Sequence, residues 1–396
     1  MLNNYKIMYF YSYISNLMAS PLDIIFLWII IIKTDSILFA GLGLTFLFLP
    51  TSLSFFTGYL TDNIKNKKTL LIFINFLRIL TAIFIIFDLI NFKFVHFIVL
   101  LILFLIFGFF NTFTNNIFRS IEKYTVDENK LNKYFKIIHI LYFAGSISGL
   151  LISGILLSVN YNFAIIFIII ALFVQILLIK LIDTKNIDFN KNKQYKSKTN
   201  DLINSILYIK NHKLLLDIII IGVISDFIAS MLEPVLTYIT HDILKINAFF
   251  LTLFAVFIVL GSITGTLFAG KIKGKVYKYY LIIMFLLPVF YYFIYIVSDN
   301  LYFIFIVLFI LGLLSSFLAL FHSILYFKNI DRENSGKIYG FNSSLNGIVQ
   351  PFSGVIIGFI ISFYLLKIGI DFMVILLFIN FFILLFILKD MKNASI

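Results

Sequence analysis

Three carboxylates, Asp23, Asp226 and Glu233, lie inside long runs of Leu, Ile and Phe. An ionisable side chain at the middle of a membrane-crossing helix costs about 2.5–3.5 kcal/mol, so such groups face a cavity or a partner. A carboxylate there can take up a proton or hold a cationic substrate. It can equally accept a structural hydrogen bond, and Ser225 and Ser230 stand close to Asp226 in the sequence. Glu233 follows Asp226 at a spacing that puts both on one helical face. Pro234, next to it, marks a break where the glutamate can satisfy freed backbone groups.

The remaining polar groups in apolar runs have two readings each. Asn111, Thr112, Asn115 and Asn116 in NTFTNNIFRS are too concentrated for a lipid-facing surface. They line a cavity or bind helix to helix. Asn346 and Gln350 share a helical face and have the same two readings. Arg78 lies about two turns inside its run, so its long stem can carry the charge to the headgroups. His139 and His322 sit equally shallow and read as structural histidines. There is no Walker A pattern, no metal-ligand cluster and no nucleophile elbow. The chain has no cysteine, which excludes disulfides and thiol catalysis. An enzyme, a cofactor and a bound metal are therefore not expected. The energy source is an ion gradient or the substrate's own gradient.

Positioning such groups is the work of membrane helices. Hydrophobic residues make up 61% of the chain and charged residues 13%, whereas a soluble domain has about a quarter of its residues charged. The net charge of +12 does not point to nucleic acid. The lysines fall in short clusters between apolar runs, with no aromatic stacking platform among them. Runs of roughly 20 apolar residues suffice to cross a bilayer. They occur near 6–32, 37–60, 69–90, 94–118, 134–158, 163–182, 214–240, 246–270, 279–297, 301–326, 338–364 and 371–389. The first has no small-residue cleavage pattern and reads as a span, not a leader. The expected fold is an all-α membrane protein with twelve transmembrane helices, because hydrocarbon offers backbone polar groups no other partner. Of the basic residues between spans, only Lys33, Lys93, Lys245 and Lys367 fall on the outer side when the N-terminus is inside. That asymmetry places both termini in the cytoplasm.

The expected organisation is a six-helix half over 1–182, a basic linker over 183–213 and a second six-helix half over 214–396. The end of the linker, DLINSILYIKNHK, has helical amphipathic spacing and suits the membrane surface. A weak repeat relates the halves: Gly58 and Leu60 recur as Gly265 and Leu267, each pair followed by a lysine-bearing loop. Gly145, Gly149 and Gly154 have a partial echo in Gly347, Pro351 and Gly354.

One loop is more specific. In GYLTDNIKNKKTL, Gly58 lets span 2 approach a neighbour closely. Asp62 is an anion just beyond the membrane, suited to a helix N-terminus or a basic partner. Lys67 and Lys68 suit phosphate headgroups. The stretch resembles the loop 2–3 signature of the major facilitator superfamily, G-x-L-x-D-R-x-G-R-R/K-x-x-L. Gly58, Leu60, Asp62, Lys67 and Leu70 match; Asn63, Lys65 and Asn66 depart from it. The resemblance implies two pseudo-symmetric six-helix halves and a cytoplasmic gate in which Asp62 meets the eleventh helix, with Arg119 as another possible partner. DLINSILYIKNHKLLL, LEPVLTYITHDIL and DRENSGKIYGFNSSLNGIVQPFSG resemble the branch of macrolide-efflux and enterobactin-exporter-like permeases. Two family features depart. AGSISGLLISG has Leu150 where antiporters often carry proline and Ser153 where they carry glycine, and Phe104 stands where drug–proton antiporters often carry arginine.

The resemblance implies a monomeric transporter of the cell membrane. It would export small amphipathic or cationic compounds by alternating access and proton antiport, in contact with membrane lipids. Asp23, Asp226 or Glu233 would carry the proton or the substrate. Uptake of a metabolite or lipid is the alternative within the fold. A non-transporting sensor or assembly partner is the alternative outside it.

Overall fold

The computed structural model describes residues 4–64, 66–90, 93, 96–126, 131–182, 212–269, 276–328, 342 and 344–393. The linker 183–211 and the loop 329–341 lie outside the described residues, and with them most of the expected amphipathic helix. Among the described residues every regular element is helical, which agrees with the demand that hydrocarbon makes on the backbone. Ten helices among the described residues are long and apolar enough to cross a membrane, with Asn4–Thr34 taken as one, and Ile37–Leu53 is a shorter apolar stretch.

Two of the twelve expected uninterrupted spans are divided. The first span is two helices, α1 (Asn4–Ala19) and α2 (Leu22–Thr34), parted at Ser20 and Pro21. Pro21 brings no N–H, so it starts a helix but cannot continue one. The second span is also divided. α3 (Ile37–Phe48) tightens into a 3-10 turn over Leu49–Leu53 that contains Pro50, and α4 (Ser54–Asn63) follows. The last two expected spans lie in α13 (Phe352–Asn393), two helices parted by a kink at Leu365 with φ 82° and ψ 160°, where the eleventh span was expected to end. That conformation is an outlier for a side chain like leucine.

The chain divides into two compact units. The first takes 1–35 and 42–197, the second 36–41 and 198–396. In the first unit, α5 (Lys67–Ile90) packs on α6 (His96–Thr125) and α8 (Tyr161–Leu181), and α1 packs on α7 (Leu131–Val159). The glycines of the fifth expected span explain the α1–α7 approach. A Cβ on Gly149 would strike the Leu17 carbonyl, and one on Gly145 would come within 2.7 Å of the Tyr13 carbonyl. Hydroxyls reinforce the seam: Ser20 Oγ donates to Ser146 Oγ at 2.6 Å, and Tyr13 Oη lies 3.0 Å from Ser148 Oγ. Close backbone approach through small residues is the usual membrane solution, because lipid tails are as apolar as leucine.

In the second unit, α9 (Lys213–Tyr238) packs on α13, α10 (Ala248–Ala269) on α12 (Leu301–Lys328), and α11 (Val276–Ile296) on both α12 and α13. Gly261 meets the Phe309 carbonyl and Gly312 meets the Ile258 carbonyl, a reciprocal contact between α10 and α12. Ser262 Oγ donates to the Gly312 carbonyl at 3.2 Å across the same seam. Pro234 lies inside α9, not at a break, and the helix runs on to Tyr238 before a π-helical turn over Ile239–Ile243.

Candidate functional site

In the second unit the structure joins three of the residues singled out by sequence. Asp226 and Ser230 are one turn apart on α9. Asn346 and Gln350 are one turn apart on the short helical segment before Pro351. Asn346 Nδ2 donates to Asp226 Oδ2 at 2.7 Å, and Gln350 Nε2 donates to Ser230 Oγ at 2.7 Å. The two pairs form a two-rung ladder. The amide orientations follow from the partners' chemistry. An ionised carboxylate only accepts, so Asn346 must offer its nitrogen. The Ser230 hydroxyl gives its proton to the Asp226 carbonyl at 2.8 Å, so it too must accept from Gln350. What remains available is acceptor: the second carboxylate oxygen of the exposed Asp226 and the amide oxygen of the exposed Gln350.

Around this ladder lie groups that the sequence had not connected. Asn380 Nδ2 donates to Ser225 Oγ at 3.0 Å and to the Ile221 carbonyl at 3.1 Å, tying α13 to α9. Tyr280 Oη lies 3.3 Å from His322 Nδ1. Gly222, one turn before Asp226, leaves room for that ring, since a Cβ there would come within 2.8 Å of His322 Nε2. A glycine one turn from an intramembrane acid is the signal that could have pointed to His322. Glu233 is half-buried on α9, and its backbone carbonyl accepts from Thr237 Oγ1 at 2.8 Å.

Asp23 falls in the first turn of α2, just past the break at Pro21. Its Oδ1 accepts from the Ile24 N–H at 2.9 Å. A carboxylate at a helix N-terminus meets the positive end of the helix dipole. Interrupted helices that aim their ends at ions or substrates near mid-membrane are a known transporter device.

The first unit is organised around a cation instead. Arg78 is 1% exposed and does not reach the headgroups, contrary to the sequence expectation. Its Nη1 donates to Asn75 Oδ1 at 3.2 Å, and its Nη2 donates to Asn111 Oδ1 at 2.9 Å and to Met18 Sδ at 3.7 Å. The guanidinium lies over the Phe107 ring at 5.1 Å. Sequence distance from the helix end suggested snorkelling. Asn75, one turn before Arg78, was the overlooked sign that this face is polar and inward.

The polar end of α6 separates by role. Asn111 belongs to the Arg78 group. Asn116 Nδ2 donates to Thr57 Oγ1 at 2.7 Å and to the Ser54 carbonyl at 3.0 Å, pinning α6 to α4. Asn115 and Arg119 are exposed. Asp62 lies in α4, and its side chain is outside the described residues.

Two expectations for the loop motif need correction. A Cβ on Gly58 would meet nothing within 4 Å, so this glycine does not serve a close approach here. Its counterpart Gly265 does, against Ser316 and the Leu313 carbonyl. The lysines turn inward rather than to headgroups. Lys67 is 1% exposed and donates to the Thr61 carbonyl. Lys68 donates to the Lys180 and Ile182 carbonyls at 2.8 and 2.6 Å. Both cap helix C-terminal ends, α4 and α8, where unpaired carbonyls and the dipole favour a cation. Leu60 packs against the apolar core of the unit. Among the described residues no group of three His, Asp or Glu side chains could hold a metal.

Apolar helices long enough to cross a membrane, grouped in two units, define the class of a multi-pass membrane protein. A model of the Major Facilitator Superfamily matches residues 7–354. The chain belongs to that superfamily. Its structure is similar to a mutant form of the nucleoside transporter NupG, with TM-score 0.75 at 12% identity, covering 97% of this chain and 100% of the other. It is also similar to a POT family transporter in complex with 5-aminolevulinic acid, with TM-score 0.73 at 12% identity, covering 99% and 96%. At such identities the likeness carries the fold alone. No curated protein sequence matches the chain.

Proposed function

We propose that this chain is a secondary transporter that exports small cationic or amphipathic compounds in exchange for protons, with Asp226 as the exchanging group. The observation that carries the reading is Asp226 itself. It is an exposed carboxylate within an apolar span, held at one oxygen by Asn346 and without an ion-pair partner among the described residues. Protonation and cation binding compete for such a group, and competition at one site is what antiport requires. Asp23 and Glu233 are the secondary carboxylates. Asn346 and Gln350 shape the site, and Asn115 is a further lining residue.

The surrounding reading is that of the family plan. Twelve spans are counted when 37–60 is taken as one span and Leu365 as a boundary between two. Halves over 1–182 and 214–396, joined in sequence by the linker 183–213, work by alternating access about a midplane site, both termini face the cytoplasm of a cell membrane, and the carrier works as a monomer. Gly58, Leu60, Asp62, Lys67, Lys68 and Arg119 form the cytoplasmic gate region.

The test uses liposomes with an acid interior and a pH dye inside. Lipophilic cations, dyes and macrolides are added in turn. The expected result is dissipation of the gradient by at least one compound through wild type and not through Asp226→Asn. Dissipation that survives in Asp226→Asn would remove this residue from the exchange. Downhill metabolite flux without proton movement would replace export by uptake.

A further inference from the structure

The Arg78 group satisfies itself only in part. A guanidinium has donors and no acceptor, and it stays charged in any protein setting. Asn75 and Asn111 therefore must turn their oxygens toward it. That leaves both amide nitrogens pointing elsewhere. Asn75 faces the buried Tyr11 hydroxyl, whereas Arg78 Nε is buried with no hydrogen-bond partner. Asn111 is half-buried, and its Nδ2 has no partner among the described residues. One turn further along α6, Thr114 Oγ1 is buried and likewise unpartnered. No carboxylate among the described residues pairs with Arg78.

A buried cation without an anion is expensive, and the ring of Phe107 and two amide oxygens offset only part of that cost. The missing component is negative and accepts hydrogen bonds. We infer that Asn111, with the Arg78 charge directly behind it, is a subsite for a carboxylate group of the transported compound. Asn111 Nδ2 would donate to the carboxylate. Arg78 acts as a positioning residue: it fixes the amide orientation and polarises the donor. The inference is independent of the Asp226 reading, because it concerns a different unit and a different sign of charge.

The test is binding, not flux. Purified protein in detergent is unfolded thermally, with Trp28, the chain's single tryptophan, as reporter. Benzoate is the probe, benzamide its neutral counterpart, and phosphatidylglycerol the lipid control. Benzoate should raise the wild-type melting temperature in a saturable way. The concentration required should rise about tenfold or more in Asn111→Ala, and benzamide should be weaker by a similar factor. Asn111→Asp supplies the missing anion from the protein, so it should raise the melting temperature by itself and abolish the benzoate effect. Asp226→Asn should keep the benzoate effect whether or not Asp226 exchanges protons. Arg78→Gln is the secondary variant, since it can disturb folding. The assignment is overturned if benzoate protects wild type and Asn111→Ala equally, or fails to protect wild type. Protection by phosphatidylglycerol alone would also overturn it.

Discussion

The two units solve opposite versions of one problem. In the second, an acceptor-only group, Asp226, is held by an amide nitrogen and remains exposed. In the first, a donor-only group, Arg78, is held by amide oxygens and is buried. Asparagine serves both because its two ends are chemically distinct while its shape is nearly symmetric. The charged partner chooses the end, and the other end is left for something else. The first unit therefore leaves over donors, and the second leaves over acceptors.

The largest effect expected from this contrast is on transport. Asp226→Asn should reduce proton-coupled flux by about a hundredfold or more, the scale of losing a proton-transfer group. Flux within a few-fold of wild type would break the contrast at its functional end. A sharper test makes the same substitution in both units. Asn111→Asp should stabilise and Asn346→Asp should destabilise, each by about 1–3 kcal/mol, since one places a carboxylate beside a guanidinium and the other beside a carboxylate. Shifts of the same sign in Trp28-detected unfolding would show that amide orientation is not what distinguishes the units.

The repeated glycines give a smaller contrast. Gly265→Ala should cost about 1–3 kcal/mol by overpacking against α12. Gly58→Ala should cost less than about 0.5 kcal/mol, because nothing lies within 4 Å of the added methyl and alanine is favoured over glycine within a helix. Equal losses would contradict the packing seen at both sites. The smallest effect belongs to Lys68→Ala, at about 1 kcal/mol or less, the usual scale of a cation at a helix C-terminus. Hydrogen exchange at the end of α8 should report it before global unfolding does.

Sequence patterning carried the helical architecture and most of the second-unit site. Asp226, Asn346 and Gln350 stood out because polar residues in an apolar run must be accounted for, and they do meet. The failures have identifiable causes. Arg78 was assigned to headgroups by depth along a helix and Lys67 by its place in a loop, but neither tells which way a side chain faces. The motif glycine Gly58 was given a packing role from its type alone, and glycine type does not reveal the neighbour. The interruptions at Pro21 and Pro50 were passed over, whereas Pro234, read as a break, is absorbed within a helix. The break at Leu365 falls where the eleventh span was expected to end, although neither proline nor glycine stands at its centre.

The division at Ser20 and Pro21 bears on how this stretch enters the bilayer. α1 has 16 residues and α2 has 13, so at 1.5 Å per residue each rod is about 20–24 Å long. The hydrocarbon layer is about 30 Å thick. Neither rod crosses alone, and the joint between them carries a serine, a proline and an acid. Together they make one 31-residue apolar span with a joint inside it. Tyr13 and Ser20 find hydroxyl partners at Ser148 and Ser146, and the α1 backbone meets Gly145 and Gly149, residues that leave the ribosome more than a hundred residues later. The close seating of α1 within its unit therefore waits on the arrival of α7.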